Sequence, residues 1–385
     1  MGLMRRLAAL LLLCATAVWA TPVAAAGVAW QPRAKVAGIF DIGGPRADGW
    51  LVVAGAGRLW LVDPQGAVTP FAQGPAGYAD DKGGEAYLAV SPSLLPGESG
   101  CDFQPGDVYI LRLHAPLGIT RVDVHGTKSA FATIPGVQSL NGIAFDTGGG
   151  FGHRLLVTGS AGGGKMEVAA IDCNGNVEVL TRTAPVFEGG LAIAPAGFGS
   201  FGGELIAPDE LSGNIYAIGP DGSSALVVKS GLATGGDIGV EGVGFVPAGF
   251  SGGGSVFYSD RATPGNPHPG TDSLLAISSD DVVGTGVKEG DLLAVTEGGA
   301  AVIGVHCDSS CTVLPVVTQA TKAHGEGHLA FTVTHPPAAT SPSPSPTASP
   351  ERKPSPQSPA AVVAVIVALA VLGAGALAVV RARRR

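Results

Sequence analysis

One stretch of the chain, residues 188–222, constrains the fold more than any other. Short apolar runs alternate there with turn-forming residues. The spacing predicts four strands, the last just beyond the stretch: Leu191–Ala194, Glu204–Ala207, Asn214–Ile218 and Val227–Lys229. Gly, Pro, Asp and Ser occupy the connections, because these residues adopt tight turns or hydrogen-bond to the local backbone. Four short antiparallel strands with tight connections are typical of one blade of a β-propeller.

The same pattern recurs along the chain. The first strand of each repeat, which would be innermost in its blade, begins at Glu85, Asn141, Glu188, Glu241 and Glu326. These starts are 56, 47, 53 and 85 residues apart, whereas propeller repeats usually span ~40–50 residues. We therefore interpret the last interval as two blades, with a degenerate inner strand near Asp281–Val287. The sequence predicts an all-β, six-bladed propeller over residues 27–335, and a five-bladed ring with a large insertion is the alternative.

The first and last predicted strands complete each other. Three strands without an inner partner are predicted at Gly49–Ala54, Arg58–Asp63 and Ala67–Ala72, and the inner strand Glu326–Val333 has no strand after it. We expect these four strands to form one blade that is closed by both ends of the chain. Such closure removes the open edge that an incomplete ring would expose.

The N-terminal residues 1–26 are predicted to be a secretory signal peptide. Arg5 and Arg6 precede a long apolar run, and three alanines end at Ala26, where we expect cleavage. A lipoprotein signal at Cys14 is less consistent with the sequence, because a leucine precedes it where a small residue is required.

The C-terminal residues are predicted to anchor the protein in a membrane. Residues 336–359 are rich in Pro and Ser and should form an extended linker. Residues 360–380 are apolar and long enough to cross a bilayer, and the basic tail 381–385 should stay in the cytoplasm. We therefore predict a single-pass type I protein of the cell membrane with a monomeric, extracytoplasmic propeller. The sequence is typical of a Gram-positive bacterium.

The charge of the propeller segment argues against nucleic-acid binding. Residues 27–335 contain 15 Lys and Arg against 30 Asp and Glu, and an acidic surface repels phosphates. Bound cations are compatible with this balance, as is a merely solvated acidic surface.

The cysteines are predicted to form disulfides. Four remain after removal of the signal peptide, an even number in an extracytoplasmic protein. Cys307 and Cys311 flank a predicted hairpin turn and form the first pair, which leaves Cys101 and Cys173 as the second.

The starts of the inner strands are the strongest candidates for a functional site. In a propeller, these positions surround the channel at one mouth. Five side chains would meet there: Glu85, Asn141, Glu188, Glu241 and Glu326. Four carboxylates and an amide oxygen suit a hard divalent cation such as Ca²⁺, which takes 6–8 oxygen ligands. The alternative is that each side chain caps neighbouring backbone amides.

Two further motifs are interpreted as structural. Asp209 and Asp260 end the second strands of adjacent predicted blades, where an aspartate favours turn capping over a position in the channel mouth. The sequence around Ser251 matches Gly-x-Ser-x-Gly. We do not interpret Ser251 as a nucleophile, because it lies in a predicted turn rather than between a strand and a helix.

The segment Asn141-Gly-Ile-Ala-Phe-Asp resembles the SMP-30/gluconolactonase-like group of six-bladed propellers, and the strand ends at Asp209 and Asp260 are similar to those of that group. The resemblance implies one divalent cation in the channel, held by Glu, Asn and Asp at the starts of inner strands. It also implies hydrolysis of lactones or related esters.

Carried over to this chain, Glu85 or Glu326 matches the glutamate of the family and Asn141 matches the asparagine. Glu188 or Glu241 occupies the aspartate position, where the longer side chain would displace a metal or a general base.

Two main functions remain open from the sequence. The first is a cell-surface binding or scaffolding module for an extracellular ligand or protein, with a cation in the channel mouth. The second is a metal-dependent lactonase or esterase in which Glu188 or Glu241 is the catalytic base. A quinone-dependent redox propeller is a third possibility, which lacks the basic cluster that would bind such a cofactor.

Overall fold

The computed structural model describes residues 27–80, 84–92 and 101–334. In these residues, 24 strands form six four-stranded antiparallel sheets, and each sheet is one blade. The inner strands of successive blades are neighbours around a closed ring. The prediction of a six-bladed, all-β propeller is therefore confirmed, and the five-bladed alternative is wrong.

The chain enters through β1 (Gln31–Lys35) and then forms four blades from consecutive strands. Blade 1 contains β2 (Ile39–Gly43), β3 (Leu51–Gly55), β4 (Arg58–Val62) and β5 (Val68–Phe71). Blade 2 contains β6 (Leu88–Val90), β7 (Val108–Arg112), β8 (Gly118–Val122) and β9 (Lys128–Thr133). Blade 3 contains β10 (Ser139–Phe145), β11 (Leu155–Gly162), β12 (Lys165–Ile171) and β13 (Val177–Ala184). Blade 4 contains β14 (Ala192–Ile193), β15 (Leu205–Asp209), β16 (Asn214–Ile218) and β17 (Ser224–Lys229).

The last two blades are interleaved in sequence. Blade 5 contains β18 (Val240–Phe245), β21 (Leu292–Thr296), β22 (Val302–Cys307) and β23 (Cys311–Val317). Blade 6 contains, from the channel outwards, β24 (Gly325–Val333), β19 (Gly254–Asp260), β20 (Ser273–Ser278) and β1. After the inner strand of blade 5, the chain therefore forms two strands of blade 6 and then returns.

This arrangement corrects three predictions. Blade 1 has its own inner strand, β2, so the strands that follow it do not pair with Glu326–Val333. That inner strand pairs with β19, and the ring is closed by β24 innermost and β1 outermost in blade 6. Both chain ends thus close the ring as predicted, but with other partners.

The third correction concerns the degenerate inner strand predicted near Asp281–Val287. The helix α1 (Ser279–Gly284) occupies most of this segment. The Ser278 hydroxyl accepts a hydrogen bond from the Asp281 backbone N–H, and Asp280 and Asp281 lie in the first turn, where carboxylates favour a helix. Two short 3₁₀ turns, Gly199–Phe201 and Phe250–Gly252, are the other helical segments described.

The core consists of layers between neighbouring blades, filled mainly by Val, Leu, Ile and Ala. Aromatic side chains concentrate between blades 2 and 3, where Phe103, Tyr109 and Phe145 pack edge to face. Both predicted disulfides, Cys101–Cys173 and Cys307–Cys311, are confirmed.

The predicted signal peptide, residues 1–26, and the predicted linker, membrane helix and tail, residues 336–385, lie outside the described residues. Among the described residues, no helix combines the length and apolar character needed to cross a membrane.

Candidate functional site at the acidic mouth

Irregularities in the inner strands direct polar side chains toward one end of the channel. The pairing register shifts at Asn141 in β10 and at Glu241 in β18. Bulges of this kind bend a strand and re-aim the side chain that lacks a cross-strand partner. We call the end of the channel at which the inner strands start the acidic mouth. It is lined by eight charged or titratable side chains: Glu85, Glu188, Glu210, Glu241, Arg261, Glu297, His324 and Glu326.

Glycines directly after Asn141, Glu188, Glu241 and Glu326 narrow the channel. A Cβ on Gly242 would lie 2.5 Å from the Gly327 carbonyl oxygen, and one on Gly190 would lie 2.4 Å from the same atom. Backbone hydrogen bonds join the inner strands directly, as between the Gly190 N–H and the Glu241 carbonyl at 3.0 Å. The Glu-Gly and Asn-Gly pairs of the sequence thus mark the point of closest approach between blades.

Polar contacts cross the channel at this constriction. The Tyr87 hydroxyl of blade 2 donates to Glu241 Oε1 of blade 5 at 2.8 Å. The imidazole of His328 in blade 6 donates through Nε2 to the Ile143 carbonyl of blade 3 at 2.8 Å, and its Nδ1 lies 2.9 Å from Asp41 of blade 1. The channel is therefore closed in its middle by links between opposite blades, and its two mouths are separate sites.

Arg261 neutralises part of the acidic mouth. Its Nη1 donates to Glu85 at 2.9 Å and to Glu326 at 3.0 Å, which joins blades 2 and 6. Glu326 is buried, with a side chain that is 3 % exposed, whereas the Glu85 side chain is 39 % exposed. Arg261 also lines a cavity of about 440 Å³ beside blade 1, so solvent reaches this side of the mouth.

On the other side of the mouth, Glu297, His324 and Glu326 form a buried cluster. His324 Nε2 lies 2.9 Å from Glu297 and 3.4 Å from Glu326. Burial by itself would lower the pKa of His324, but the hydrogen bonds to the two carboxylates raise that pKa to about 9. One potential ligand atom from each residue lies within 4.8 Å of those of the other two, so the cluster can hold a metal ion.

Two further carboxyl groups have raised pKa values. Burial, followed by a hydrogen bond from its carboxyl to Glu297, raises the pKa of Glu210 to about 8. Burial and the charges of Glu85 and Glu210 raise the pKa of Glu188 to about 7. The Glu188 carboxylate has no hydrogen-bond partner in the part of the chain that the structure describes. It is thus partly ionised near neutral pH and available to a ligand.

The five predicted site residues therefore have different surroundings. Glu85 and Glu326 share Arg261, and Glu241 accepts from Tyr87. The Asn141 amide donates to the Phe187 carbonyl at 3.0 Å and accepts from the Thr158 hydroxyl at 3.2 Å, which is a structural role in blade 3. Whether these five residues bind a metal together stays a prediction.

Sequence reasoning did not single out Glu210, Arg261 and Glu297, although a signal for them exists. Each is the first residue after the second strand of its blade, following Asp209, Asp260 and Thr296 respectively. Asp209 accepts from the Leu211 N–H in its own turn, which agrees with its interpretation as a turn cap. Asp260 instead accepts from the Thr271 hydroxyl and from the His324 N–H, which lies 64 residues away. Asp209 and Asp260 lie in blades 4 and 6, however, so the prediction of adjacent blades is wrong.

Ser251 has the structural environment expected of a turn residue. Its hydroxyl donates to the exposed Glu289 carboxylate at 2.5 Å, and Ser251 follows Phe250, the first residue of a 3₁₀ turn. No histidine bonds to it among the described residues.

The opposite end of the channel, at which the inner strands end, has another character, and we call it the apolar mouth. It contains a cavity of about 310 Å³ with His328 at the constriction. Each blade contributes an apolar side chain to its lining: Ile42, Leu88, Ile143, Leu191, Val243 and Leu329. No carboxylate occurs among the described residues that line this cavity.

Comparison with known proteins gives distant structural likenesses only. No protein-family model and no curated protein matches the sequence. A putative gluconolactonase is 13 % identical, with 77 % of this chain and 84 % of that chain covered and a TM-score of 0.44. Regucalcin from Agrobacterium tumefaciens, described as a calcium-binding protein, is 13 % identical, with 76 % and 80 % covered and a TM-score of 0.43. Virginiamycin B lyase from Staphylococcus aureus is 13 % identical, with 77 % and 92 % covered and a TM-score of 0.41.

These matches include a gluconolactonase, so the resemblance noted from the sequence appears again in the comparison of structures, at low identity. At this distance, the likenesses assign no activity to the chain.

Proposed function

We propose that the protein is a membrane-anchored, cell-surface binding module whose acidic mouth holds a divalent cation. One observation carries this proposal: six carboxyl groups lie in one mouth, compared with one guanidinium and one imidazole. Burial and mutual repulsion raise the pKa values of Glu188, Glu210 and Glu241. A bound cation would offset this repulsion and let the carboxylates ionise without cost.

The donor set of the mouth fits a divalent cation. Carboxylate oxygens and an imidazole nitrogen are ordinary ligands of such ions, and Glu297 and Glu326 lie at 2.9 and 3.4 Å from His324 Nε2. Two of the six carboxylates, Glu85 and Glu326, already bond to Arg261. The cation would therefore bind on the side of Glu297, away from Arg261.

Calorimetric titration of residues 27–335 tests the proposal. This segment contains all 24 strands and both strands that close the ring, so it carries the complete fold. After chelation and dialysis, we expect one divalent ion per molecule and a higher melting temperature with the ion. The Glu188→Gln variant should bind more weakly, and the control Glu178→Gln, on outer strand β13, should bind as the wild type does. If no divalent ion binds and a chelator leaves the melting temperature unchanged, the proposal is wrong.

A second function, a metal-dependent lactonase or esterase, is favoured by one specific feature. Glu188 combines a pKa of about 7 with a carboxylate that has no partner in the described part of the chain. A general base works best with a pKa close to the working pH. Glu241 is less suited to this role, because it is buried and accepts from Tyr87.

In such a reaction, a bound cation would polarise the substrate carbonyl. Glu188 would take a proton from the attacking water, and Arg261 would help to orient an oxygen-rich substrate at the open side of the mouth. Assays with a panel of lactones and esters test this function. We expect turnover to increase as the pH rises through about 7 and to be lost in Glu188→Gln under saturating cation. Absence of turnover across the panel in the cation-loaded protein would leave the binding module as the function.

The location is a proposal of its own. We propose that residues 1–26 are removed, that residues 360–380 anchor the chain and that the linker holds the propeller outside the cell. The full chain should sediment with membranes, and a chain that ends at residue 335 should be released. Release of the full chain, or a mature protein that retains residues 1–26, would contradict this location.

A further inference from the structure

The buried cluster of Glu297, His324 and Glu326 differs from the oxygen-only cup that the sequence suggested. Each of the three residues is less than a tenth exposed: Glu297 7 %, His324 2 % and Glu326 3 %. The imidazole nitrogen Nε2 lies between the two carboxylates, at 2.9 and 3.4 Å. Four-coordinate Zn²⁺ sites have metal–ligand distances of ~2.0–2.2 Å, which places neighbouring ligand atoms roughly 3.2–3.6 Å apart. The observed separations are close to that spacing before any ion is bound.

A second observation points to a ligand at the same place. Tyr258, on the second strand of blade 6, is fully buried, and its hydroxyl has no hydrogen-bond partner among the described residues. A Cβ on Gly325, the residue between His324 and Glu326, would lie 2.7 Å from this hydroxyl, so the hydroxyl lies beside the backbone of the cluster. A buried hydroxyl without a partner costs about 1–3 kcal/mol, and native structures rarely leave one unexplained.

The surrounding fold holds the three residues in position. The Asp260 carboxylate accepts from the His324 backbone N–H at 2.9 Å, and Glu326 pairs with Ser259 across the sheet. On the other side, the Glu297 N–H donates to the Gly239 carbonyl at 2.8 Å, and the Glu297 carbonyl accepts from the Gly325 N–H at 2.8 Å. Blades 5 and 6 thus fix the backbone of all three residues, which keeps their side chains on one side of the mouth.

The geometry points to a metal site formed by Glu297, His324 and Glu326 that is specific for a borderline transition-metal ion of the Zn²⁺ type rather than Ca²⁺. The inference rests on the proposed cation binding at the acidic mouth and names the class of ion and its ligands. Imidazole nitrogen is a preferred ligand of Zn²⁺ and related ions, whereas Ca²⁺ requires six to eight oxygens. Only two carboxylates, Glu297 and Glu326, lie within ligand distance of His324 in the described residues, which is too few for a calcium site. Tyr258 is available to hydrogen-bond to a molecule that binds to the ion.

Binding and spectroscopy of residues 27–335 test this inference. The metal-free protein is titrated with Zn²⁺ and, separately, with Ca²⁺ by calorimetry. The zinc-loaded wild type is then measured by X-ray absorption at the zinc edge, which detects imidazole directly. We expect one Zn²⁺ per molecule, an imidazole signal from one histidine, and no displacement by excess Ca²⁺. His324→Gln and Glu297→Gln should each weaken Zn²⁺ binding by at least ~10–100-fold.

His306→Gln is the matched control, because His306 also lies between two carboxylates, Asp291 at 2.6 Å and Asp308 at 3.1 Å, but outside the channel. It should bind Zn²⁺ with wild-type affinity. Circular dichroism shows whether each variant folds, and the absorption measurement on the wild type decides the ligand class even if His324→Gln does not fold.

The outcomes separate this inference from the proposed function. Zinc bound without imidazole, or zinc lost in His306→Gln, would overturn the ligand set. Tight Ca²⁺ binding that requires Glu188 but not His324 would overturn the ion class, while the proposed cation binding would stand. If neither ion binds, both are wrong.

Discussion

The two mouths of the channel are formed by the same six inner strands, yet their chemistry is opposite. In β18, Glu241 belongs to the acidic mouth and Val243, two residues later, lines the apolar mouth. Both side chains are at least nine-tenths buried. In the described residues, carboxylates line only the acidic mouth, where the turns after the second strands of blades 4, 5 and 6 meet, and the apolar mouth has only His328, paired with Asp41, at its inner end. The comparison shows that the same inner strands supply two sites, and that position along the strand decides which one carries the carboxylates.

The largest loss of stability is expected when a charge is placed in the apolar mouth. Val243 is 1 % exposed, and the basic side chain nearest the lining of that mouth, His328, is already paired with Asp41. Val243→Asp should reduce the free energy of unfolding by at least ~4 kcal/mol, because the buried carboxylate would be unpaired. Urea unfolding measures the change, and Val243→Ala should cost only about 2 kcal/mol. Equal losses in the two variants would show that the apolar mouth tolerates charge.

The next largest effect is expected from the guanidinium of the acidic mouth. Arg261→Met would leave the buried Glu326 without this ion pair, and we expect a loss of about 3–5 kcal/mol. Adding Glu326→Gln should restore part of that loss in thermal melts. Arg58→Met is the control, since Arg58 is exposed and bonds only to a neighbouring carbonyl in the described structure. No recovery in the double variant would mean that Arg261 stabilises the fold through its aliphatic stem instead.

A smaller effect is expected in the pH dependence of stability, to which Glu188 of the acidic mouth should contribute. The pKa of Glu188 is raised from 4.5 to about 7 in the folded protein, so the folded state binds this proton more tightly than the unfolded chain. Its contribution to stability is fully present below about pH 4.5 and is lost as the pH rises through about 7. Glu188→Gln should therefore lose less stability than the wild type between pH 5 and 8, by at most about 3 kcal/mol. Glu178→Gln should keep the wild-type pH dependence, and an unchanged slope in Glu188→Gln would contradict the raised pKa.

The smallest expected effect concerns the link between blades 2 and 5. Tyr87→Phe removes the hydrogen bond to Glu241 with little change of shape, and it should cost about 1–2 kcal/mol in chemical unfolding. Tyr216→Phe, at a half-buried position whose hydroxyl accepts from Asn214, should cost less. If Tyr87→Phe is neutral, Glu241 has another donor, and the constriction between the mouths does not depend on this link.

Several features of the fold could be predicted because they depend on neighbouring residues. The strand Asn214–Ile218 was predicted with its observed bounds, and turn chemistry predicted the strands around it. Cys307 and Cys311 are joined across a hairpin that local spacing reveals. The pairing of β18 with β21 was not predictable in the same way. Strands β19 and β21 both follow β18 in the chain, and the choice between them depends on which blade each reaches after the ring has closed.

Only part of the candidate site could be predicted from the sequence, for the same reason. The sequence by itself determined the four-stranded repeat and the polar starts of five inner strands, because strand period and turn formation are local properties, but it missed β2 and placed an inner strand where α1 lies. Tertiary structure alone brought His324, Glu297 and Glu326 from two interleaved blades into one cluster and placed Arg261 between Glu85 and Glu326. It also decided which carboxylates are neutralised and which remain free. These distances are set by ring closure, since residues far apart in sequence meet only when β24 and β1 complete the last blade.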